Sequence, residues 1–378
     1  MLKKIHLSSS KINHKEILFI EEAINRKEFS NYGTNLDAFQ FQLKEYFAEK
    51  REIALLNSGT SAIHLALINL GVKRDEEVIC QSFTFAASAF PILYQGAKPV
   101  FIDSEKDTWN ICPNYLEDAI KARLKKGIKP KAIIIVHSYG MPAKMDDIIA
   151  ISNKYRIPII EDAAESLGSI YKGVRCGAFG DFGILSFNGN KIITTSGGGA
   201  LLCKTKSQME KSIFLSNQAK NKSSFYEHTE IGYNYAMSNI AAGIGRSQME
   251  VLDRNINIRR EIHEFYLRLF KDLEGVELLS EPNVNIYSNY WLNCALINES
   301  ITGFSRDDLI KALEKENIES RPLWRPMHMQ PLFKNSLFYG TGVSESLFNS
   351  GICFPSGSDL SNDDLNRIQT AIEKCIKS

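Results

Sequence analysis

Short, uninterrupted apolar segments recur through the first 200 residues, and they constrain the fold more than any other feature. The strand-like segments are EEVICQSFTF (76–85), KPVFID (98–103), KAIIIVH (131–137) and IPIIED (157–162). Their apolar residues do not alternate with polar ones, which is typical of strands buried on both faces of a parallel sheet. Helix-like segments separate them. The pattern predicts an α/β fold with a mostly parallel sheet covered by helices.

The pattern changes after about residue 245. Residues 248–273 are charged and amphipathic, as in a connecting helix. Beyond them, a strand-like segment (290–297) mixes with helix-like ones (306–317 and 363–376). We therefore predict a large domain over 1–245 and a smaller α+β domain over 246–378.

Charge and cysteine content narrow the function classes. Lys plus Arg number 45 and Asp plus Glu 44, a balance that does not favour nucleic-acid or membrane-surface binding. The seven cysteines are scattered without a CxxC pair, which favours a reducing compartment. The first 16 residues lack the apolar core of a signal peptide, and no segment has the apolar length of a membrane span. We expect a cytoplasmic protein.

Two polar segments stand where α/β enzymes bind ligands. Residues 57–61 (NSGTS) precede a helix-like segment, where free N–H groups and small hydroxyls form an anion site. The same residues also make an ordinary N-cap. Asp162 ends a strand-like segment, and ligands lie at such carboxyl ends. A carboxylate there can pair with a protonated pyridine nitrogen, although helix capping is the commoner use.

Lys191 lies between FGILSF (182–187) and a glycine-rich turn. A partly desolvated lysine near other cations attacks carbonyl groups as a free amine, whereas most lysines are solvated surface residues. The P-loop and dinucleotide fingerprints GxxxxGK[ST] and GxGxxG are absent. His64 and His137 have no second ligand at metal spacing in the sequence, so we predict no metal site.

In order and spacing, these segments resemble the sugar-nucleotide aminotransferases of the DegT/StrS type, which have the aspartate-aminotransferase fold. The resemblance runs through NSGTSAIHLAL, SFTFAAS, EDAAESLG, NGNKIITTSGGG, GYNY, SRPLWRPMH and CFPSG. The block around Lys191 is the most specific. The sequence departs from the family's frequent GxNxR pattern at Ala236, where an arginine is common.

The resemblance implies pyridoxal 5'-phosphate as cofactor, with Lys191 as the Schiff-base lysine that also moves a proton. The implied cofactor-binding residues are Gly59, Thr60, Ser61, Phe85, Asp162, Glu165, Ser186, Lys191 and Asn234. Asp162 would pair with the pyridine nitrogen, Phe85 would stack on the ring, and Glu165 would lie near the ring hydroxyl. Thr60, Ser61 and Ser186, with Gly59 at the same helix start, would hold the phosphate, and Asn234 would reach it from a second copy of the chain. A homodimer would then share its active sites.

The implied reaction transfers the amine of glutamate to a nucleotide-linked keto sugar. The motifs look most like those of enzymes that place a 4-amino group on UDP-linked 2-acetamido-2,6-dideoxy-4-keto-hexose for bacterial glycans. A GDP- or dTDP-linked sugar, or amination at C3, is the alternative. Candidates for binding the substrate are Arg321, Trp324, Arg325 and His328. The alternative for this segment is domain packing, with Trp324 in the core.

Two rival functions are disfavoured. Enzymes of this fold that dehydrate a sugar carry histidine at the Schiff-base position, and Lys191 argues against that chemistry. A non-catalytic regulator would not need an intact set of Asp162, Ser186 and Lys191.

Overall fold

A computed structural model describes residues 2–377. The strands are β1 (Glu52–Leu56), β2 (Glu77–Gln81), β3 (Lys98–Ile102), β4 (Ala132–Val136), β5 (Ile159–Asp162), β6 (Ile170–Tyr171), β7 (Val174–Arg175), β8 (Phe182–Ser186), β9 (Gly199–Cys203), β10 (Val276–Leu278), β11 (Ile286–Tyr287), β12 (Asn293–Ile297), β13 (Arg321–Pro322), β14 (Leu337–Tyr339) and β15 (Gly351–Phe354). The helices are α1 (Lys15–Asn25), α2 (Thr34–Tyr46), α3 (Gly59–Asn69), α4 (Phe90–Tyr94), α5 (Pro113–Lys125), α6 (Met145–Tyr155), α7 (Lys206–Ser216), α8 (Asn239–Met249), α9 (Leu252–Leu269), α10 (Glu299–Thr302), α11 (Arg306–Lys315), α12 (Val343–Ser350) and α13 (Asn362–Ile376).

An eight-stranded sheet in the order β1-β9-β8-β5-β4-β2-β3-β14 forms the centre of the molecule. The pairs from β8 through β14 are parallel, and β9 pairs antiparallel with both β1 and β8. This confirms the predicted α/β fold with a mostly parallel sheet. Because β9 is the reversed strand, β1 runs in the same direction as the others, and their carboxyl ends meet at one edge.

Successive residues of the central strands enter different cores. Ile133 and Ile135 belong to one hydrophobic cluster, whereas Ile134 between them belongs to another. Side chains alternate across a strand, so an unbroken apolar run fills both faces of the sheet. All residues of the inner strands β2, β4, β5 and β9 are buried, whereas the edge strand β14 is partly exposed.

A four-stranded antiparallel sheet, β10-β12-β15-β13, lies in the C-terminal part of the chain. It shares a hydrophobic cluster with residues of α9, α11 and α13. The predicted division at residue 245 falls within α8, and it stays a prediction. The C-terminal part also returns to the large sheet, where β14 pairs with β3.

The predicted connecting helix is interrupted. Helix α8 ends at Met249 and α9 begins at Leu252, with Val251 at a non-helical φ of −116° and ψ of 8°. Helices α1 and α2, for which the sequence analysis made no prediction, pack on α8. No helix within residues 2–377 combines the length and apolarity that crossing a bilayer requires.

Candidate active site

A cavity of about 770 Å³ opens at the edge where the carboxyl ends of the parallel strands meet. Its walls include residues that follow β1, β2, β4, β5 and β8, and residues of the C-terminal part. Among them are the predicted site residues Gly59, Thr60, Phe85, Asp162, Glu165, Ser186, Lys191, Arg321, Trp324 and Arg325. Residues separated by more than 260 positions in the sequence therefore share one cavity, as the rule for open α/β sheets predicts.

The start of α3 forms an anion cradle in this cavity. Ser58 caps the helix by accepting the Ser61 N–H at 3.0 Å. The N–H groups of Gly59 and Thr60 have no acceptor within the described residues. A Cβ added at Gly59 would lie 3.2 Å from the Cβ of Ser186, so the hydroxyl-bearing end of β8 adjoins the helix start. Free helix N–H groups beside a hydroxyl suit a phosphate.

Asp162 lies at the end of β5 and is 4% exposed. Its Oδ2 accepts a hydrogen bond from Ser88 Oγ at 2.7 Å, and its Oδ1 accepts the Ala164 N–H at 3.1 Å. Burial raises the pKa of this carboxyl, and the hydrogen bond from Ser88 opposes that rise. A cation placed against the carboxylate would complete its pairing, since a buried charge is stable only when compensated.

Lys191 extends into the same cavity with its side chain 12% exposed. Its Nζ is 3.2 Å from Glu165 Oε1 and 4.2 Å from the centroid of the Trp291 ring. The Tyr139 N–H donates to the other oxygen of Glu165 at 2.8 Å. Burial raises the pKa of Glu165 to about 7, and the charge of Lys191 opposes the rise. The lysine is thus held between an aromatic ring and a carboxyl that titrates near neutrality.

Aromatic residues build the wall opposite the strands. Tyr139 is fully buried with a positive φ of 56°, and its ring stacks on Trp324 at a centroid distance of 4.3 Å. The Trp324 N–H donates to the Tyr139 hydroxyl at 3.0 Å. Trp324 is partly buried against the core and also lines the cavity. Neither Tyr139 nor Trp291 was predicted, because no local sequence pattern distinguishes either from an ordinary core aromatic.

Comparison with known proteins identifies the family. The model described as the DegT/DnrJ/EryC1/StrS aminotransferase family matches residues 10–373. The chain belongs to this family. Family members are pyridoxal-phosphate-dependent sugar aminotransferases, and the chain is an enzyme of that type.

Three relatives match most of the chain. EpsN of Bacillus subtilis (strain 168), named as a pyridoxal phosphate-dependent aminotransferase, is 48% identical over 97% of this chain and 95% of its own. GDP-perosamine synthase of Escherichia coli O157:H7 is 32% identical over 99% of both chains. UDP-4-amino-4,6-dideoxy-N-acetyl-beta-L-altrosamine transaminase of Campylobacter jejuni (strain 81-176) is 37% identical over 71% of this chain and 70% of its own. A solved family structure from Brucella abortus superposes with a TM-score of 0.89 at 28% identity, covering 97% of this chain and 96% of that one.

The residues in the cavity fit the family's cofactor. The start of α3 and Ser186 offer an uncompensated anion site for a phosphate, and Asp162 offers a buried carboxylate for a protonated ring nitrogen. Phe85 leaves 60% of its side chain exposed at the cavity, as a ring would be before another ring stacks on it. Lys191 offers an amine in the same cavity.

Three predicted site residues, Ser61, Asn234 and His328, do not line the cavity, and neither does Ala236, the position of the departure from the GxNxR pattern. The Ser61 N–H serves the cap of α3, and Ala236 forms a bridge with Leu56. Asn234 is exposed, and its main-chain carbonyl accepts a hydrogen bond from Asn57 Nδ2 at 3.0 Å. His328 does not line the cavity. Its ring stacks on Phe338 at 3.7 Å and contacts Ser82 Oγ and Glu345.

His137 lies next to the carboxylate of Glu161. The two residues are far apart in the sequence, and the pairing of β4 with β5 brings them together. Ligand atoms of His137, Glu161 and Cys176 lie within 4.8 Å of one another. The Glu161 oxygens accept bonds from His137 Nε2 and from the N–H groups of residues 177, 179 and 180. His137 Nδ1 accepts the Ala143 N–H at 2.9 Å. The Glu161 oxygens and His137 Nδ1 already accept hydrogen bonds from protein donors, which favours a structural role for these two residues.

Proposed function

We propose that this enzyme transfers the amino group of glutamate to the 4-keto group of a nucleotide-linked 4-keto-6-deoxy sugar, and that the sugar is a UDP-linked 2-acetamido-2,6-dideoxy-hexose. The joint placement of Lys191, Asp162 and the α3 anion cradle around one cavity carries the reaction type. The UDP-linked sugar is proposed from the resemblance of the sequence motifs. The relative named for a UDP-linked sugar is 37% identical over 71% of this chain, and the relative named for a GDP-linked sugar is 32% identical over 99% of it. The product would feed bacterial glycan synthesis, and the enzyme would work in the cytoplasm.

We assign parts in this reaction to the cofactor-binding residues of the cavity. Pyridoxal phosphate, when bound, supplies the electron sink that makes the carbon next to the amine acidic. Lys191 holds the aldehyde end and moves the proton, and its amine lies next to a carboxyl that can exchange that proton. Asp162 keeps the ring nitrogen protonated. Gly59, Thr60 and Ser186 anchor the phosphate, whereas Ser61, whose N–H is used in the cap of α3, is left out of this role. Phe85 covers the ring.

Two arginines line the cavity, and they differ in whether a carboxylate already neutralises their charge. Arg321 is 3.0 Å from Glu319, an ion pair that reduces its attraction for a second anion. Arg325 is exposed and forms no ion pair with the described residues. We therefore assign the substrate diphosphate to Arg325, with Trp324 beside it as an aromatic surface. Arg321 would contact the substrate at the rim of the cavity, either as a free cation after its ion pair with Glu319 breaks or while still paired with Glu319.

The test is an assay with ¹⁵N-glutamate and a panel of UDP-, GDP- and dTDP-linked 4-keto-6-deoxy sugars, read by mass spectrometry. We expect ¹⁵N in the sugar product and the highest kcat/KM with the UDP-linked acetamido sugar. Borohydride added to the cofactor-loaded enzyme should fix the cofactor on the peptide that contains Lys191. Failure to fix it there would overturn the role of Lys191, and a higher kcat/KM with a GDP- or dTDP-linked sugar would overturn the nucleotide.

A further inference from the structure

Residues 5–10, here called the strap, connect the outer rim of the cavity with the loop that carries Lys191. At the rim, Ile5 forms a parallel bridge with Ile318, and the Leu7 N–H donates to Glu319 Oε2 at 3.2 Å. His6, Leu7 and Ser8 line the cavity. The strap is therefore part of the wall that a substrate would meet, and its far end contacts the lysine loop.

Two strap hydroxyls bind the two consecutive carbonyls that flank the Lys191 Cα. Ser8 Oγ donates to the Asn190 carbonyl at 2.7 Å, and Ser10 Oγ donates to the Lys191 carbonyl at 2.6 Å. Within residues 2–377, no main-chain N–H donates to either carbonyl. Trp291 Nε1 is a second donor to the Asn190 carbonyl, at 2.7 Å. Since a peptide unit is planar, fixing the planes on both sides of a Cα fixes the direction of its side chain.

A buried arginine holds these donors together. Arg259 of α9 is 0% exposed and donates to Ser8 Oγ at 3.1 Å and to the Ser9 carbonyl at 3.3 Å. The same guanidinium donates to the Trp291 carbonyl. It forms no ion pair with the described residues, and burial lowers its pKa to about 10. A buried arginine without a paired carboxylate is costly, and here its two terminal nitrogens donate to the strap and to Trp291, whereas its buried Nε has no acceptor among the described residues.

We propose that Ser8, which Arg259 contacts directly, and Ser10 are positioning residues that aim the Lys191 side chain at the reacting carbon. The proposal rests on the proposed role of Lys191. We expect an effect on kcat because the reaction rate falls on the order of 100-fold when a reacting group is displaced by about 1 Å. A strap that only stabilised the fold would change the melting temperature and leave turnover unchanged.

The chain offers a matched control within the strap. Ser9 lies between the two serines, but its hydroxyl contacts Asp359 and not the lysine loop. We therefore compare the double variant Ser8→Ala/Ser10→Ala, which removes two hydroxyls, with Ser9→Ala, which removes one hydroxyl at the position between them. Ser8→Thr/Ser10→Thr keeps both hydroxyls and serves as the conservative rescue.

We expect kcat of the double alanine variant to fall at least tenfold, with KM for glutamate within twofold of wild type. In the cofactor-free protein, the amides of residues 188–196 should exchange hydrogen at least tenfold faster. Ser9→Ala should match wild type in both measurements, and the threonine variant should recover most of kcat. An unchanged kcat in the double alanine variant, or a fall that Ser9→Ala shares, would overturn the proposal.

The two proposals fail separately. If borohydride does not fix the cofactor on Lys191 in the wild-type enzyme, the proposed function is wrong and the strap has no lysine to position. If Lys191 is fixed in wild type but the double alanine variant exchanges and turns over like wild type, only the strap proposal is wrong.

Discussion

At the scale of single residues, Glu165 is the group whose charge state the site controls most directly. Burial raises its pKa from an ordinary 4.5 to about 7, although Lys191 lies 3.2 Å away. At neutral pH a large fraction of this carboxyl is protonated. A protonated carboxyl can donate a hydrogen bond to the ring hydroxyl, the group near which we place it, where a charged carboxylate would repel the deprotonated form of that hydroxyl.

This raised pKa predicts a pH-dependent stability. Between pH 4.5 and 7 the folded state binds a proton that the unfolded chain has released, so the free energy of unfolding falls as pH rises through this window. Glu165→Gln removes that dependence. Relative to wild type, the cofactor-free variant should gain about 3 kcal/mol between pH 4.5 and pH 8.

Urea unfolding of the cofactor-free protein at several pH values measures this effect. Glu21→Gln, on an exposed part of α1, is the control and should keep the wild-type pH profile. A Glu165→Gln profile parallel to that of wild type would show that the buried carboxyl stays ionised across the window.

The sequence indicated those site residues that carry their own local signal. Lys191 lies beside a glycine-rich turn, and Asp162 ends an apolar strand. These local signals, together with the resemblance of the surrounding motifs to the family, indicated both residues. Tyr139 and Trp291 have no such signal, because their importance comes from where distant segments meet. His328 shows the reverse case. It lies within four residues of Trp324, yet the chain turns between them, and the histidine packs on Phe338.

At the scale of elements, the segment β14–α12 depends on one buried carboxylate. Asp103, at the end of β3, accepts the N–H groups of residues 341–344, the Ser344 hydroxyl and the Ser104 N–H. Burial opposes the charge, but the bonds from Ser344 lower the pKa of Asp103 overall. The carboxylate therefore both caps α12 and joins it to the large sheet.

Asp103→Asn should lower the free energy of unfolding by about 3 kcal/mol, since one amide oxygen cannot replace two carboxylate oxygens for these buried donors. Urea unfolding at pH 7 measures the loss. Asp107→Asn is the control, because that carboxylate is 59% exposed in its pair with Lys144 and should contribute under about 1 kcal/mol. Equal losses in the two variants would mean that the cap contributes no more than a surface ion pair.

Element prediction succeeded where a local pattern decides the structure and failed where contacts between distant segments decide it. The apolar runs predicted the parallel strands, and caps such as Ser305 and Ser361 lie at the starts of the predicted helices α11 and α13. The reversed direction of β9 has no local signature. Nor does the entry of β14 into the large sheet, because its register depends on β3, more than 200 residues earlier.

At the scale of the whole molecule, the exposed residues near Asn234 in the sequence are the candidate surface for the homodimer predicted from the sequence. Phe225, Tyr226 and Ile231, which precede Asn234 in the chain, are 66%, 78% and 81% exposed, and large exposed hydrophobic residues are often covered at protein interfaces. The Asn234 side chain faces outward with them, near Gln218 Nε2 at 3.3 Å. Its main chain, however, contacts Asn57 of its own cavity wall. Asn234 therefore acts either in its own site or in that of a partner.

Mixing two inactive variants distinguishes these cases. A mixed dimer of Lys191→Ala and Asn234→Ala chains contains one complete site only if Asn234 acts across the interface, because the lysine of one chain then meets the asparagine of the other. Random mixing of such chains restores about one quarter of wild-type sites. If Asn234 acts within its own chain, every site lacks one of the two residues.

We expect recovery of about that fraction when the variants are unfolded and refolded together, at a cofactor concentration that saturates wild type but not Asn234→Ala. The same variants refolded separately and then combined are the control for residual activity. Activity no higher than the control, from a mixture that contains mixed dimers by mass spectrometry, would assign Asn234 to its own chain. The contact with Asn57 would then be the reason that the asparagine lies beside the phosphate cradle.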